Sequence, residues 1–232
     1  MYALMMPVTI TIDDRLPMKA GTDRTLYAKV GRDKSVWSPL YEKAFAKFHG
    51  SYEALVGGNP EKALNTIYGA PGVMINAKKI TVNDLWDLLV ENDKEEAMIT
   101  MGCFSGTAEG VVGGHAYSFI KTLKLSNGTK LVQVRNPWSV EKYKGPWGDD
   151  SSKWTEKFKK EAGYEKMNDG AFFMPMELFH STFGITWINY DTDRMWRTHW
   201  LKLDDNTNSP GTNRKCGSGC TRHEFTLKSE KT

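Results

Sequence analysis

The chain contains 232 residues, 40% of them apolar, with eight tryptophans and ten phenylalanines, which suffices for one full domain with flanking pieces. Its formal net charge of +3 is small and scattered, which argues against a nucleic-acid or membrane-surface binder. The apolar runs are too short for a membrane span, and the N-terminal residues lack the layout of a secretory signal. The three cysteines have no disulfide-framework spacing, so we expect a reducing, cytoplasmic environment.

The first block covers residues 1–56. A β segment is predicted over Val8–Ile12. A helix is predicted over Ser38–Val56 because its apolar residues recur at the 3.6-residue period. The run Gly57-Gly58-Asn59-Pro60 breaks this helix and marks a junction with the next block.

The second block, residues 57–198, is rich in β-prone residues. A helix is predicted over Asn83–Asn92, with the first asparagine as its N-cap. Strands are predicted over Ala116–Leu125 and Lys130–Val134. The Ser126-Asn127-Gly128 sequence between them is a strong signal for a hairpin turn.

Two short strings lie at the open end of this hairpin, Gly114-His115-Ala116-Tyr117-Ser118 and Arg135-Asn136-Pro137-Trp138. A histidine keeps a catalytic cysteine ionised, and a third group must hold the imidazole in one tautomer and orientation. His115 is the candidate acid/base and Asn136 its orienting partner. Trp138 falls on the same strand face as Asn136 and could keep water off their hydrogen bond. Each string alone is also compatible with an ordinary loop histidine and a proline-terminated strand.

A regular hairpin does not bring the two residues together. In a strictly regular register, Asn136 pairs with about Phe119, roughly four residues or 13 Å from His115. A β-bulge, a wider loop or strong twist must absorb this offset, and the sequence does not indicate which.

The ordered set of strings along the chain resembles the calpain family, the papain-like intracellular cysteine endopeptidases, from Ile10 to about Leu201. The resemblance implies an α+β fold: a fragment of the papain-like catalytic core, made mainly of the antiparallel, β-rich second subdomain with a closing helix of the first. The strings that carry it are Asp13-Asp14-Arg15-Leu16-Pro17, Trp37–Ala44, Ser51–Leu55, Asn136-Pro137-Trp138, Gly145-Pro146-Trp147 and Asp169–Met174.

The same resemblance implies three regions. Residues 1–56 correspond to the C-terminal part of the first catalytic subdomain, and residues 57–198 to the second, which carries the histidine and asparagine. Residues 199–232 correspond to a linker and the first strand of a truncated calpain-type β-sandwich. Within that tail, Cys216 and Cys220 with His223 form a weak candidate metal site, and a pair of ordinary loop thiols is the alternative.

By resemblance, His115 and Asn136 are the catalytic histidine and asparagine, and Trp138 is their shield. The nucleophile of papain-like enzymes precedes the histidine by about 130–150 residues. No cysteine occurs upstream of Cys103, which lies only 12 residues before His115. In the family a cysteine at this point is common but not catalytic, so this chain contains no nucleophile and alone is expected to be inactive.

The resemblance implies calcium as a possible cofactor, because many calpains use it to align their catalytic subdomains. Asp149 and Asp169 match two acids of the family's site in this half and are weak calcium candidates. Lys142 and Ala171 stand where two further acids are expected. Since calcium takes six to eight oxygen ligands and gains affinity from their charge, these exchanges weaken the site. Glu141 is adjacent to Lys142, and a shift of the loop by one residue could bring one of its carboxylate oxygens into the site as a ligand.

Two functional interpretations remain open. In the first, the chain is part of a calpain-like endopeptidase that cleaves protein substrates in the cytoplasm once the missing cysteine-bearing N-terminal half is present. In the second, it is a non-catalytic calpain homologue that acts as a protein-interaction module. Retention of His115, Asn136 and Trp138 favours the first interpretation, while the missing nucleophile and altered calcium ligands favour the second.

Overall fold

A computed structural model describes residues 1–3, 6–31, 33–104, 108–140 and 142–190. Within these residues the fold is α+β, with five α-helices and a six-stranded antiparallel sheet. The helices are α1 (Trp37–His49), α2 (Pro60–Tyr68), α3 (Val82–Lys94), α4 (Glu156–Ala162) and α5 (Met176–Thr182), with short 3-10 turns at Glu53–Leu55 and Ala77–Lys79. The strands are β1 (Tyr2–Ala3), β2 (Met6–Pro7), β3 (Gly72–Asn76), β4 (Met98–Cys103), β5 (His115–Lys124), β6 (Lys130–Arg135), β7 (Ala171–Pro175) and β8 (Ile185–Asn189).

The large sheet has the order β3-β8-β4-β5-β6-β7, and every neighbouring pair is antiparallel. The predicted hairpin of β5 and β6 therefore occupies two interior positions of the sheet. Strands β1 and β2 form a separate two-stranded pair. The candidate histidine begins β5, and the candidate asparagine follows β6 directly.

Two hydrophobic clusters stabilise this sheet. The larger cluster includes Leu89 of α3 and Phe179 of α5, which pack with Met101 and Tyr117 of the sheet. The smaller includes Trp154, whose indole N–H donates to the carbonyl oxygens of residues 147 and 148. Because the two clusters pack on opposite faces of strands β5 to β7, this end of the sheet is covered on both sides and gives the hairpin a rigid base.

The sequence predictions match strands β5 and β6 and the body of helix α3, and differ at several other places. The strand predicted over Val8–Ile12 is wrong, since those residues lie outside any strand and the N-terminal pairing involves Met6–Pro7 instead. The helix predicted to reach Val56 ends at His49, because Gly50 adopts a φ of 102° that terminates it. The run from Gly57 to Pro60 begins the unpredicted helix α2, with Asn59 as N-cap.

The N-cap of α3 is Thr81 rather than the predicted Asn83. The Thr81 hydroxyl accepts from the Asp84 backbone N–H, and the Asp84 carboxylate accepts from the Thr81 backbone N–H, which forms a capping box. The side chain of Asn83 instead accepts a hydrogen bond from Lys130. In the described part of the chain, no helix has the length and apolar character needed to cross a membrane.

The capping box should contribute measurably to the free energy of unfolding. Thr81→Ala should lower the free energy of unfolding by about 1 kcal/mol, because it leaves an N-terminal amide of α3 without its acceptor. The matched control, Asn83→Ala, should change it by less than about 0.5 kcal/mol, as expected for a surface side chain. Urea unfolding followed by circular dichroism measures both, and a larger loss for Asn83→Ala would contradict this assignment.

Candidate active site

His115 and Asn136 meet at one end of the β5–β6 hairpin. The His115 Nε2 atom lies 3.0 Å from Asn136 Oδ1, a normal hydrogen-bond distance. His115 is the first residue of β5, and Asn136 follows the last residue of β6. The structure therefore brings together the two residues that the sequence analysis selected.

A β-bulge in β5 makes this contact possible. The register runs from Lys124 opposite Lys130 to Lys121 opposite Gln133, and then shifts so that Phe119 lies opposite Val134. Ile120 is the extra residue. Continued without the shift, the register would place Asn136 opposite Ser118, and the His115 side chain would point to the other face of the sheet.

With the bulge, Ser118 lies opposite Arg135, and the next position places Asn136 opposite Tyr117. His115 is then two residues from the direct partner of Asn136 and on the same face. Such diagonal neighbours lie within reach of long side chains. The bulge supplies one residue of the four-residue offset, the pairing of Leu125 with Thr129 at the turn supplies another, and the diagonal contact covers the remaining two.

The amide of Asn136 has one orientation fixed by its surroundings. The backbone N–H of Trp138 donates to Asn136 Oδ1 at 3.1 Å, so that atom must be the acceptor oxygen. The Asn136 Nδ2 group faces the Val140 carbonyl oxygen at 3.5 Å. Since Oδ1 can only accept, His115 Nε2 carries the proton in their hydrogen bond. The other ring nitrogen, Nδ1, is left for proton exchange with a reacting group.

Asn136 is held rigidly, being only 2% exposed. Its backbone N–H donates to the Gly170 carbonyl oxygen at 2.8 Å. Gly170 has a φ of +87°, and a Cβ atom there would lie 2.6 Å from the Asn136 carbonyl oxygen. The close approach of these two backbones requires glycine at position 170 and fixes the turn that follows β6.

The indole ring of Trp138 lies beside the histidine. Its centroid is 4.3 Å from that of the His115 ring, and the two planes are inclined by 35°. The Trp138 side chain is 52% exposed, so it covers the imidazole on one side only. On the strand side, the Tyr117 ring contacts the imidazole edge-on at 5.0 Å.

Cys103 lies directly opposite His115 in the register of β4 and β5. Its side chain is 1% exposed and belongs to the larger hydrophobic cluster. A peptide carbonyl cannot reach this thiol unless the core opens, which agrees with a structural role for Cys103. No local sequence pattern indicates that the thiol and the histidine are cross-strand partners.

The acidic residues of the proposed calcium region each have a partner within the protein. Asp149 accepts from the Tyr164 hydroxyl at 3.1 Å, and Asp169 accepts from the Ala171 backbone N–H at 2.9 Å. Burial raises the pKa of Asp149, and repulsion from Asp169 adds to that rise, while the Tyr164 hydrogen bond opposes it. The neutral form of Asp149 is therefore favoured more than in water.

Asp150, which follows Asp149 in the same loop, is paired with a lysine. Asp150 and Lys166 form an ion pair at 2.5 Å, and this hydrogen bond lowers the pKa of Asp150. Gly148 packs against the carbonyl of Tyr143, so the backbone beside Lys142 lies close to the Asp149 loop. The Lys166 ammonium thus lies in the region where a divalent cation would bind.

The described residues at these positions do not fit a calcium site. In the described residues no group of three or more Asp, Glu, His or Cys side chains is arranged to hold a metal ion. Asp149 and Asp169 are already hydrogen-bonded, and calcium needs six to eight oxygens with strong negative charge. Glu141, Cys216, Cys220 and His223 lie outside the described residues.

Calcium affinity should therefore appear only when the two acids expected by resemblance are introduced. The double variant Lys142→Glu/Ala171→Glu should bind terbium, a calcium surrogate, with tryptophan-sensitised luminescence that calcium displaces. The unsubstituted chain and the uncharged control Lys142→Gln/Ala171→Gln should show no such signal. Calcium binding by the unsubstituted chain in the micromolar range would show that these residues do form a calcium site.

Comparison with known proteins agrees with this architecture. The model of the calpain family cysteine protease domain matches residues 2–188. Human Calpain-14 is 36% identical over 186 residues, which is 76% of this chain and 27% of that protein. The rice protein Calpain-type cysteine protease ADL1 is 31% identical over 211 residues, covering 82% of this chain and 10% of the relative.

Drosophila Calpain-B is 33% identical over 196 residues, covering 76% of this chain and 21% of that protein. The chain thus spans about a tenth to a quarter of the length of these relatives. The family match covers the sheet, the hairpin and the turn that holds Asn136. This chain belongs to the calpain family of cysteine proteases.

Proposed function

We propose that the chain is the histidine- and asparagine-bearing half of a calpain-type cysteine endopeptidase. The single observation that carries this proposal is the His115–Asn136 hydrogen bond, in which a buried amide oxygen fixes the imidazole tautomer. The thiol nucleophile comes from a cysteine-bearing half outside these 232 residues. A binding module would have no need of an imidazole fixed in this way.

In the complete site the thiol of that half lies next to His115 Nδ1. The imidazole takes the thiol proton, and the resulting thiolate attacks the carbonyl carbon of the scissile peptide. The tetrahedral intermediate collapses, the C–N bond breaks, and the imidazolium gives its proton to the leaving amine. His115 then removes a proton from water, whose hydroxide attacks the thioester and releases the second product. Asn136 keeps Nε2 protonated throughout.

The surface around His115 fits a partner that covers it. Trp138 and Val140 are 52% and 42% exposed, and both lie in the turn that follows β6 at the site. Large apolar side chains grouped on one surface indicate a contact region. We assign this region to the cysteine-bearing half and to the protein substrate, whose extended main chain would be gripped with weak sequence preference. The need for a reduced thiol agrees with a cytoplasmic location.

Reconstitution tests the proposal directly. The chain is mixed with the cysteine-bearing segment that precedes the matching region of human Calpain-14, with thiol reductant, and hydrolysis of a fluorogenic peptide amide is followed. His115→Ala should lower kcat by about 10²- to 10⁴-fold, the usual contribution of a positioned acid/base. Asn136→Ala should lower it by about 10²-fold, because the imidazole loses its orientation.

The controls separate catalysis from folding and from binding. Cys103→Ala should retain activity, and loss of cleavage in that folded variant would contradict the structural role of Cys103. Co-elution of the two halves should be unchanged by His115→Ala. A stable complex without any cleavage would refute the peptidase proposal and favour the interaction module.

The chain without its partner should show no cleavage of casein in the presence of reductant, with or without calcium. It should also bind a hydrophobic dye, because the apolar residues beside His115 are uncovered. Replacement of Trp138 by serine should reduce the dye signal, since its side chain lies beside His115 and is more exposed than that of Val140. If the variant binds as much dye as the unsubstituted chain, the assigned contact region is wrong.

A further inference from the structure

The backbone of Trp138 is fixed by contacts of the turn, but these contacts do not determine the orientation of its indole ring. Ser139, the next residue, has a positive φ of 56° although it is not glycine. The Arg135 guanidinium donates to the Ser139 hydroxyl at 2.8 Å, and Gly170 packs against the same turn. These contacts place the Trp138 Cα atom, while the indole projects from the turn and is about half exposed.

The indole has a second contact besides His115. The Lys142 ammonium lies 5.3 Å from the centroid of the Trp138 ring, within the range of a cation–π interaction. No carboxylate of the described residues lies within ion-pair distance of that ammonium. One ring thus contacts both the catalytic imidazole and a lysine four residues further along the chain.

The main chain of Lys142 is anchored independently of the indole. The next residue, Tyr143, is buried and its ring stacks on Phe172 at 4.8 Å. Lys144 donates its backbone N–H to the Glu109 carbonyl oxygen at 3.2 Å. A Cβ atom on Gly110 would overlap the Lys142 carbonyl oxygen, so this loop also packs closely against the lysine backbone. The ammonium therefore extends from a fixed point.

We propose that Lys142 is a positioning residue, whose ammonium holds the Trp138 indole against His115. The inference rests on the proposed function, because the position of the indole matters for catalysis only if His115 is the acid/base. A docked indole limits water access to one side of the imidazole and to the His115–Asn136 hydrogen bond, which is stronger when water is kept away. An acid at position 142 would repel the electron-rich ring face instead.

The test uses this chain alone, labelled with 5-fluorotryptophan, so no activity is needed. The ¹⁹F resonance of Trp138 is assigned from the spectrum of Trp138→Phe, and its shift between H₂O and D₂O reports exposure to solvent. Lys142→Met should reduce the ratio of docked to undocked indole by about 2- to 5-fold, the range expected for an exposed cation–π contact. Lys142→Glu should reduce the ratio further.

Lys142→Arg should restore the docked population, because a guanidinium makes the same contact. Lys144→Met is the matched control, since it removes a neighbouring exposed ammonium that has no ring contact in the described structure, and it should leave the resonance unchanged. An unchanged Trp138 resonance in Lys142→Met or in Lys142→Gln would overturn the proposal, as would failure of arginine to restore it. Failure of reconstituted cleavage would refute the proposed function without altering these spectra.

Discussion

The one-residue bulge at Ile120 is the constraint on which the site depends. Side chains alternate across a strand, so inserting one residue moves every preceding side chain of β5 to the other face. Tyr117 can then pack with α3 and α5, and His115 lies on the face that Asn136 occupies. The same insertion allows Leu123, beyond the bulge, to contact the smaller hydrophobic cluster. A single irregularity thus serves both cores and the hydrogen bond between the two candidate catalytic residues.

The residues of the site differ in how firmly they are held. Asn136 is buried, paired through its backbone, and fixed in one amide orientation by the Trp138 N–H. His115 lies at a strand terminus and receives its orientation from that amide. The Trp138 indole is half exposed and depends on contacts made by its own ring. Preorganisation therefore decreases from the sheet towards the surface, where a partner and a substrate would bind.

Electrostatics distinguishes this half from the calcium site that the family resemblance implies. Asp149, Asp150 and Asp169 are bonded to a tyrosine, a lysine and a backbone amide of the protein itself. Lysine at position 142 supplies positive charge where a carboxylate was expected, and it contacts the tryptophan beside the histidine. Each of these three carboxylates thus has a partner within the described part of the chain.

Much of the hairpin could be predicted from local sequence. The β-prone runs and the Asn127-Gly128 turn predict two paired strands, because turn chemistry and strand propensity act over a few residues. The strand predicted at Val8–Ile12 was wrong, since β propensity without a pairing partner does not form a strand. The run Gly57-Gly58-Asn59-Pro60 signals a break in the preceding helix, but Asn-Pro is also a helix start, and helix α2 begins there.

The sequence by itself determined the family, the antiparallel centre of the fold and the choice of His115, Asn136 and Trp138, because each of these is encoded in short motifs and their order. Only the tertiary structure decided the register between β5 and β6, the burial of Cys103 opposite His115, and the contact of Lys142 with Trp138. These features depend on packing between segments distant in sequence. A bulge that changes the face of a strand is selected by the two cores it serves, and no local pattern specifies it.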